Sequence, residues 1–174
     1  MKLSVVVVNW NSQADLEACV SSLLAGTHGE LEVIVVDNGS CDGSAEMVRE
    51  RFPQVLLLAE QENLGFAEAC NRGIAASSAP WVVMLNNDAV VEPGWAEAMV
   101  AAAERAAPDC GMLQSLILFS GRPGVVWGRC GVTADLLSFE ESSSFLPNSV
   151  SLVLNIASPL DILSCKKKYL HDSI

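Results

Sequence analysis

The stretch Trp81 to Asp88, WVVMLNND, constrains this chain more than any other: five apolar residues, two of them β-branched, run without a break into two amides and a carboxylate. Such a run reads as a strand covered on both faces, as inside a parallel sheet. Its polar end must then sit at an edge. In open α/β sheets ligands lie outside the carboxyl ends of the strands, which puts Asn86, Asn87 and Asp88 where a ligand would be held. A plain Asx-type turn leading to Pro93 and Gly94 would use the same residues. What favours a site is that two earlier strands end in the same manner.

The first of these is Lys2 to Val8, which ends in Asn9-Trp10-Asn11-Ser12; Ser12 is placed to cap a helix over Gln13 to Ala25, with Leu16, Val20, Leu23 and Leu24 on one face and Gly26 as its stop. The second is Leu31 to Val36, ending in Asp37-Asn38-Gly39-Ser40. Asp42 or Ser44 then starts a helix that carries Ala45, Val48 and Phe52 inward. Gln54 to Ala59 is a further strand, and Asn63-Leu64-Gly65-Phe66 opens a helix to about Ser77. After Pro93, Trp95 to Ala107 reads as a helix with Met99 and Val100 inward, and Gly111 to Phe119 as a strand. Strands alternating with helices of this length predict an α/β fold, a mostly parallel sheet with helices on both faces and its polar strand ends along one rim. Beyond Gly121 the pattern weakens. Val150 to Ile156 reads as one more strand, or as a segment that meets a partner or a membrane surface.

Composition narrows the class of partner. With a formal net charge of −11, the chain is a poor general partner for nucleic acid or anionic lipid. Any phosphate it binds must be neutralised locally, by helix N-termini, backbone amides or a divalent cation held by carboxylates. The six cysteines, Cys19, Cys41, Cys70, Cys110, Cys130 and Cys165, are scattered without a zinc-ligand spacing. They read as reduced thiols packed as small hydrophobes, and with no signal peptide or membrane span in the sequence the expectation is a cytoplasmic chain.

The segments SVVVVNWN (4–11), VVDNGSCDGS (35–44), NLGFAEACNRGI (63–74) and VVMLNNDAVVEPGW (82–95) together resemble the nucleotide-sugar-binding half of family 2 glycosyltransferases, closest to their rhamnosyltransferase-like branch. Four motifs in order and at the right spacing are far more specific than any one of them. The resemblance implies a GT-A fold, with a Rossmann-like sheet carrying the donor site. It also implies transfer of a sugar, with inversion, from a nucleoside diphosphate to a glycan or lipid-linked acceptor in cell-surface polysaccharide synthesis. Asn9 and Trp10 would lie beside the nucleobase, with Asp37 accepting a hydrogen bond from its edge. Asn63, Gly65 and Asn71 would hold the donor loop; Asn86 would sit toward the ribose or bind the metal ion weakly, with Asn87 also in the donor site. Asp88 would bind Mg²⁺ or Mn²⁺. Simpler roles stand beside these: Trp10 in the core, Asp37 in a turn, Asn63 and Gly65 as a helix cap that lets the helix approach the sheet, and Arg72 as a salt-bridging side chain.

The resemblance covers residues 1–137, expected as the donor domain, and leaves 138–174 as a divergent tail. The family's acceptor half, with its general base, has no counterpart; Glu140, Glu141, Asp161 and His171 lack the expected flanking sequence, so no catalytic carboxylate is assigned. The expectation is a chain shortened after its donor half, either a glycosyltransferase or a module that binds nucleotide sugar without turning it over. A donor half without its second lobe would expose apolar surface, which favours a homodimer or peripheral contact with the inner face of a membrane.

Overall fold

A computed structural model gives the fold, describing residues 3–25, 31–106, 112–115, 117–118, 126–128 and 152–155. Gly26, Cys110, Cys130, Cys165, Glu140, Glu141, Asp161 and His171 lie outside these residues. The first elements alternate as expected: β1 (Leu3–Asn9), α1 (Gln13–Ala25), β2 (Leu31–Asp37), α2 (Ser44–Arg51), β3 (Leu56–Ala59), α3 (Phe66–Ala76), β4 (Trp81–Asn86) and α4 (Trp95–Arg105). Four short strands follow: β5 (Met112–Gln114), β6 (Ile117–Leu118), β7 (Val126–Gly128) and β8 (Leu152–Asn155). The run 111–119, expected as one strand, is thus two. β5 joins the main sheet and β6 pairs with β7 in a separate two-stranded antiparallel sheet.

The main sheet has the order β3-β2-β1-β4-β8-β5. The first four strands are mutually parallel, and β8 runs antiparallel between β4 and β5. β8 lies in the segment that the sequence sets apart as a tail, and its strand reading is the one that applies. The chain moves outward from β1 to β2 and β3, then returns to place β4 on the other side of β1. That reversal is a topological switch point, and the crevice beyond β1 and β4 is where such sheets hold ligands.

Strand alternation divides the core into two layers. Leu3, Val5 and Val7 of β1, with Val33, Val35, Val83 and Leu85, face α1, α2 and α4, where Leu16, Val20, Val48, Phe52, Met99 and Ala103 meet them. Val6, Ile34, Val36 and Val82 face the opposite way, against Ala69 and Ile74 of α3. Away from the switch point, the buried Ser4 hydroxyl donates to Glu32, whose carboxylate also accepts from the Ser78 hydroxyl at 2.9 Å and backbone N–H at 2.8 Å. That carboxylate fastens the approach to β4 against β1 and β2.

One contact between layers depends on a missing side chain. A Cβ on Gly73 would lie 2.2 Å from Val6 Cγ1 and 3.2 Å from Val36 Cγ2, so α3 reaches the sheet only because residue 73 is glycine. Gly73→Ala gains about 1 kcal/mol of helix propensity but forces a clash with a buried β-branched residue that has few rotamers to move into. Overpacking of this kind costs roughly 1–3 kcal/mol, so the expected net effect is destabilisation. A lower urea midpoint is the predicted result; a variant as stable as the parent would contradict the packing described.

Candidate functional site

Register builds the site from the backbone outward. Asn9 pairs across from Asp37 in β2, and Val8 across from Asn86 in β4, so Asn9, Asp37 and Asn87 fall in one row at the carboxyl ends of adjacent strands. Their side chains form a chain of hydrogen bonds. Asn9 Nδ2 donates to Asp37 Oδ1 at 3.0 Å, and Asn87 Nδ2 donates to Asn9 Oδ1 at 2.8 Å. Ser40 completes the row, its hydroxyl donating to Asp37 Oδ1 at 2.6 Å and its N–H to Oδ2 at 3.1 Å. Asn9 and Asp37 are buried. The charge of Asp37 is therefore met by three donors, and one acceptor position on Oδ2 is left over.

Two loops are joined above this row. The Asn11 N–H donates to Ser40 Oγ at 2.9 Å, its Oδ1 accepts from Cys41 N–H at 2.8 Å, and Gln13 N–H donates to Asp42 Oδ2 at 2.9 Å. Asp42 Oδ1 also accepts from the Ser44 N–H at 3.1 Å, so one carboxylate serves the first residues of both α1 and α2. Desolvation works against its ionisation, but hydrogen bonds from the Ser44 hydroxyl and from the Ser44 and Gln13 N–H groups outweigh it and hold the Asp42 carboxyl below the usual range. Ser12 stands at the start of α1 as expected, its carbonyl accepting from the Leu16 N–H at 3.0 Å, and its hydroxyl donates to the Asp15 carboxylate at 2.6 Å. Trp10 is not a core aromatic: it stands 56% exposed just past the end of β1. Cys41, in the loop after β2, is exposed rather than packed inside, with its N–H bonded across to Asn11.

On the β3 side, Asn38 Nδ2 donates to Asn63 Oδ1 at 2.9 Å and its Oδ1 accepts from Leu64 N–H at 2.9 Å. Asn63 Oδ1 also accepts from Gly65 N–H at 2.8 Å, and Gly65 begins α3 with φ +82°. Close approach here belongs to Gly39, where a Cβ would meet Glu62 C at 2.6 Å, and not to Gly65, which has open space around it. Asn71 is half-buried on α3, and its side chain makes no hydrogen bond to another described residue. Arg72 pairs with Glu60 at 2.6 Å and Glu68 at 3.5 Å, the salt-bridging role.

Asp88 lies at the other lip, exposed just past β4. Partial burial and the nearby Asp15 raise its pKa. Beneath it, the buried Cys19 thiol donates to the Asn86 carbonyl at 3.6 Å; burial, then the charge of Asp88, push its pKa up to about 12. Among the described residues no three His, Cys, Asp or Glu side chains gather to enclose a metal. A hard cation that keeps its waters and takes one carboxylate plus phosphate oxygens fits Asp88, where its charge would offset the repulsion from Asp15.

The structure thus brings Asn9, Asp37 and Asn87 into direct contact, sets Asn63 and Gly65 beside them through Asn38, and leaves Asn71 apart. Sequence reasoning put Asn11 and Ser40 on the polar rim without giving either a partner, and read Asp42 only as a helix start. The available signal was Asn11 itself, because Asn tolerates the left-handed conformation it adopts, φ +50°.

With this geometry in view, the comparisons with known proteins are direct. The model of glycosyl transferase family 2 matches residues 4–129. The architecture is that of GT-A glycosyltransferases. A mannosyltransferase from Pyrobaculum calidifontis, solved with GDP-Man and Mn²⁺, superposes with TM-score 0.56 at 27% identity, over 64% of this chain and 34% of that one. Staphylococcus aureus TarS, residues 1–349, shares the fold at TM-score 0.55 and 22% identity, over 60% of this chain and 32% of that one. The N-acetylglucosaminyl-diphospho-decaprenol L-rhamnosyltransferase of Mycobacterium tuberculosis is 36% identical over 126 residues, 66% of this chain and 41% of that protein. The chain belongs to glycosyl transferase family 2. It spans between 14% and 41% of the length of curated relatives that it matches.

Two predictions follow from the row and from the thiol. Asn9→Asp would set a second carboxylate against Asp37, and the two cannot both ionise at such a distance. The expected loss is about 3 kcal/mol at pH 7. It shrinks at pH 5, because the raised pKa of the pair makes the native state bind an extra proton. Equal losses in urea at both pH values would sink this account. For Cys19, a folded pKa above the usual thiol value means that its stabilisation is complete below that value and is lost as the pH rises toward 12. In the native protein at pH 8, iodoacetamide should therefore modify Cys41 and spare Cys19, as read by peptide mass spectrometry.

Proposed function

We propose that this chain binds a nucleoside-diphosphate sugar in the crevice beyond β1, β2 and β4, and serves transfer of the sugar, with inversion, to a glycan or lipid-linked acceptor. The observation that carries the reading is the convergence of Asn9, Asp37 and Asn87 in one hydrogen-bonded row, below the exposed Trp10 and beside Asp88, at the switch point of the sheet. A mannosyltransferase held with GDP-Man and Mn²⁺ and a rhamnosyltransferase among the relatives support the same ligand chemistry here.

In this reading Trp10 lies against the nucleobase. Asp37 keeps Asn9 and Ser40 in place and offers its remaining acceptor position to the base. Asn63, Gly65 and Asn71 border the donor loop, and Asn86 and Asn87 lie toward the ribose and diphosphate. Asp88 would hold Mg²⁺ or Mn²⁺. A cation there supplies Lewis-acid neutralisation of the charge that grows on the departing diphosphate. The reaction belongs to the cytoplasm, with a lipid-linked acceptor met at the inner face of the membrane. Among the described residues no helix is long and apolar enough to cross a bilayer.

The test is a thermal-shift series with UDP, GDP and dTDP, each with and without Mn²⁺. One nucleotide should raise the melting temperature in a metal-dependent way; a ligand at a hundred times its Kd adds about 2.7 kcal/mol. Asp88→Ala should abolish the metal-dependent part while the ligand-free protein changes by no more than about 0.5 kcal/mol, as for an exposed position. No shift with any nucleotide would overturn the reading. Unchanged affinity in the variant would remove Asp88 from the site. A sugar-transfer assay on the same samples separates turnover from binding alone.

A further inference from the structure

We infer that Asn11 and Asp42 are positioning residues for Trp10: they clasp the loop after β1 to the loop after β2, and so present the exposed indole in one orientation to the base of a nucleotide. The inference rests on the nucleotide-binding reading above. Trp10 is 56% exposed, so burial does not orient it. Packing against a core is the usual way to fix a side chain of that size, and here the task falls to the backbone on either side.

That backbone is tied at both neighbours. Before Trp10, Asn9 is held in the buried row and its Nδ2 reaches Ser40 Oγ at 3.3 Å. After it, Asn11 N–H also donates to Ser40 Oγ, and Asn11 Oδ1 accepts from Cys41 N–H. One turn further, Gln13 donates through its N–H to Asp42 Oδ2 and through Nε2 to the Gly43 carbonyl at 3.3 Å. Three alternate positions, Asn9, Asn11 and Gln13, are thus bonded to four consecutive positions, Ser40 to Gly43. The geometry also depends on Asn11 taking a left-handed backbone, φ +50°, which turns its amide toward Cys41. Asn is one of the few residues that accept this conformation.

The clasp bonds of Asn11 and Asp42 are solvent-exposed, and exposed hydrogen bonds add little net stability because water competes for the same groups. Their consequence is geometric. A fixed indole loses less freedom when a base stacks on it, which is affinity gained by preorganisation.

Asn11→Gly keeps the left-handed backbone accessible and removes the amide acceptor. Asp42→Ser keeps a short local acceptor for Ser44 and cannot span to Gln13. Each should weaken binding of whichever of UDP, GDP and dTDP the parent binds, measured calorimetrically with Mn²⁺, by about fivefold, the affinity equivalent of ordering one large side chain. In a Trp10→Ala background the same substitutions should have no further effect, which a merely structural role would not produce. Without nucleotide, protein labelled with 5-fluorotryptophan should show one sharp ¹⁹F line for Trp10, assigned by its loss in Trp10→Phe. That line should broaden or split in both clasp variants. An unchanged line, or a loss of affinity that persists without Trp10, would overturn the inference. Failure of the parent chain to bind any of UDP, GDP and dTDP would instead overturn the functional reading, and the fluorine lines alone would then decide the clasp.

Discussion

The hydrogen-bonded row Asn9, Asp37 and Asn87 is the constraint on which the rest of this structure depends. A buried polar group without a partner costs roughly 1–3 kcal/mol, more than the net gain of about 1 kcal/mol from a hydrogen bond that is made. The row therefore acts chiefly against alternatives. A one-residue slip of β1 against β2 or β4 would turn Asn9 away from both partners and swap the two core layers. The polar strand ends and the apolar strand bodies thus specify the same register, and the loops that carry Trp10, Ser40 and Asp88 inherit their positions from it.

Amides dominate this crevice, and that suits an acidic chain. With 21 acidic residues against 10 basic ones, a carboxylate-rich rim would repel the diphosphate expected there. Asn9, Asn38, Asn63 and Asn87 instead supply donors and acceptors without net charge. The carboxylate of Asp37 is buried and met by donors, and that of Asp42 is spent on two helix N-termini. Asp88 is the acid left facing solvent at the end of β4.

Much of this arrangement is legible in the sequence. Apolar runs punctuated by polar turns identify β1, β2 and β4, and the helical spacing of Leu16, Val20 and Leu23 identifies the buried face of α1. Other features depend on contacts far apart in the chain. Nothing near Gly73 announces that Val6 lies against it. Nothing near Asn11 says that Cys41 will be its partner. The continuous run from Met112 to Leu118 hides a break, where Ser115 turns aside to accept a hydrogen bond from Trp95 Nε1 at 3.0 Å and the two halves join different sheets. Periodicity reports which face is apolar; it cannot report what an apolar segment will pair with.

The place of β8 also orders events in time. Its backbone fills the gap between β4 and β5, although the chain reaches it long after both. During synthesis the outer edge of β4 emerges with its amides and carbonyls unclaimed, and a bare strand edge is a template for pairing with other chains. The parallel half of the sheet can assemble early around β1. The antiparallel half must wait for residues 152–155, and until they arrive that edge of β4 stays open.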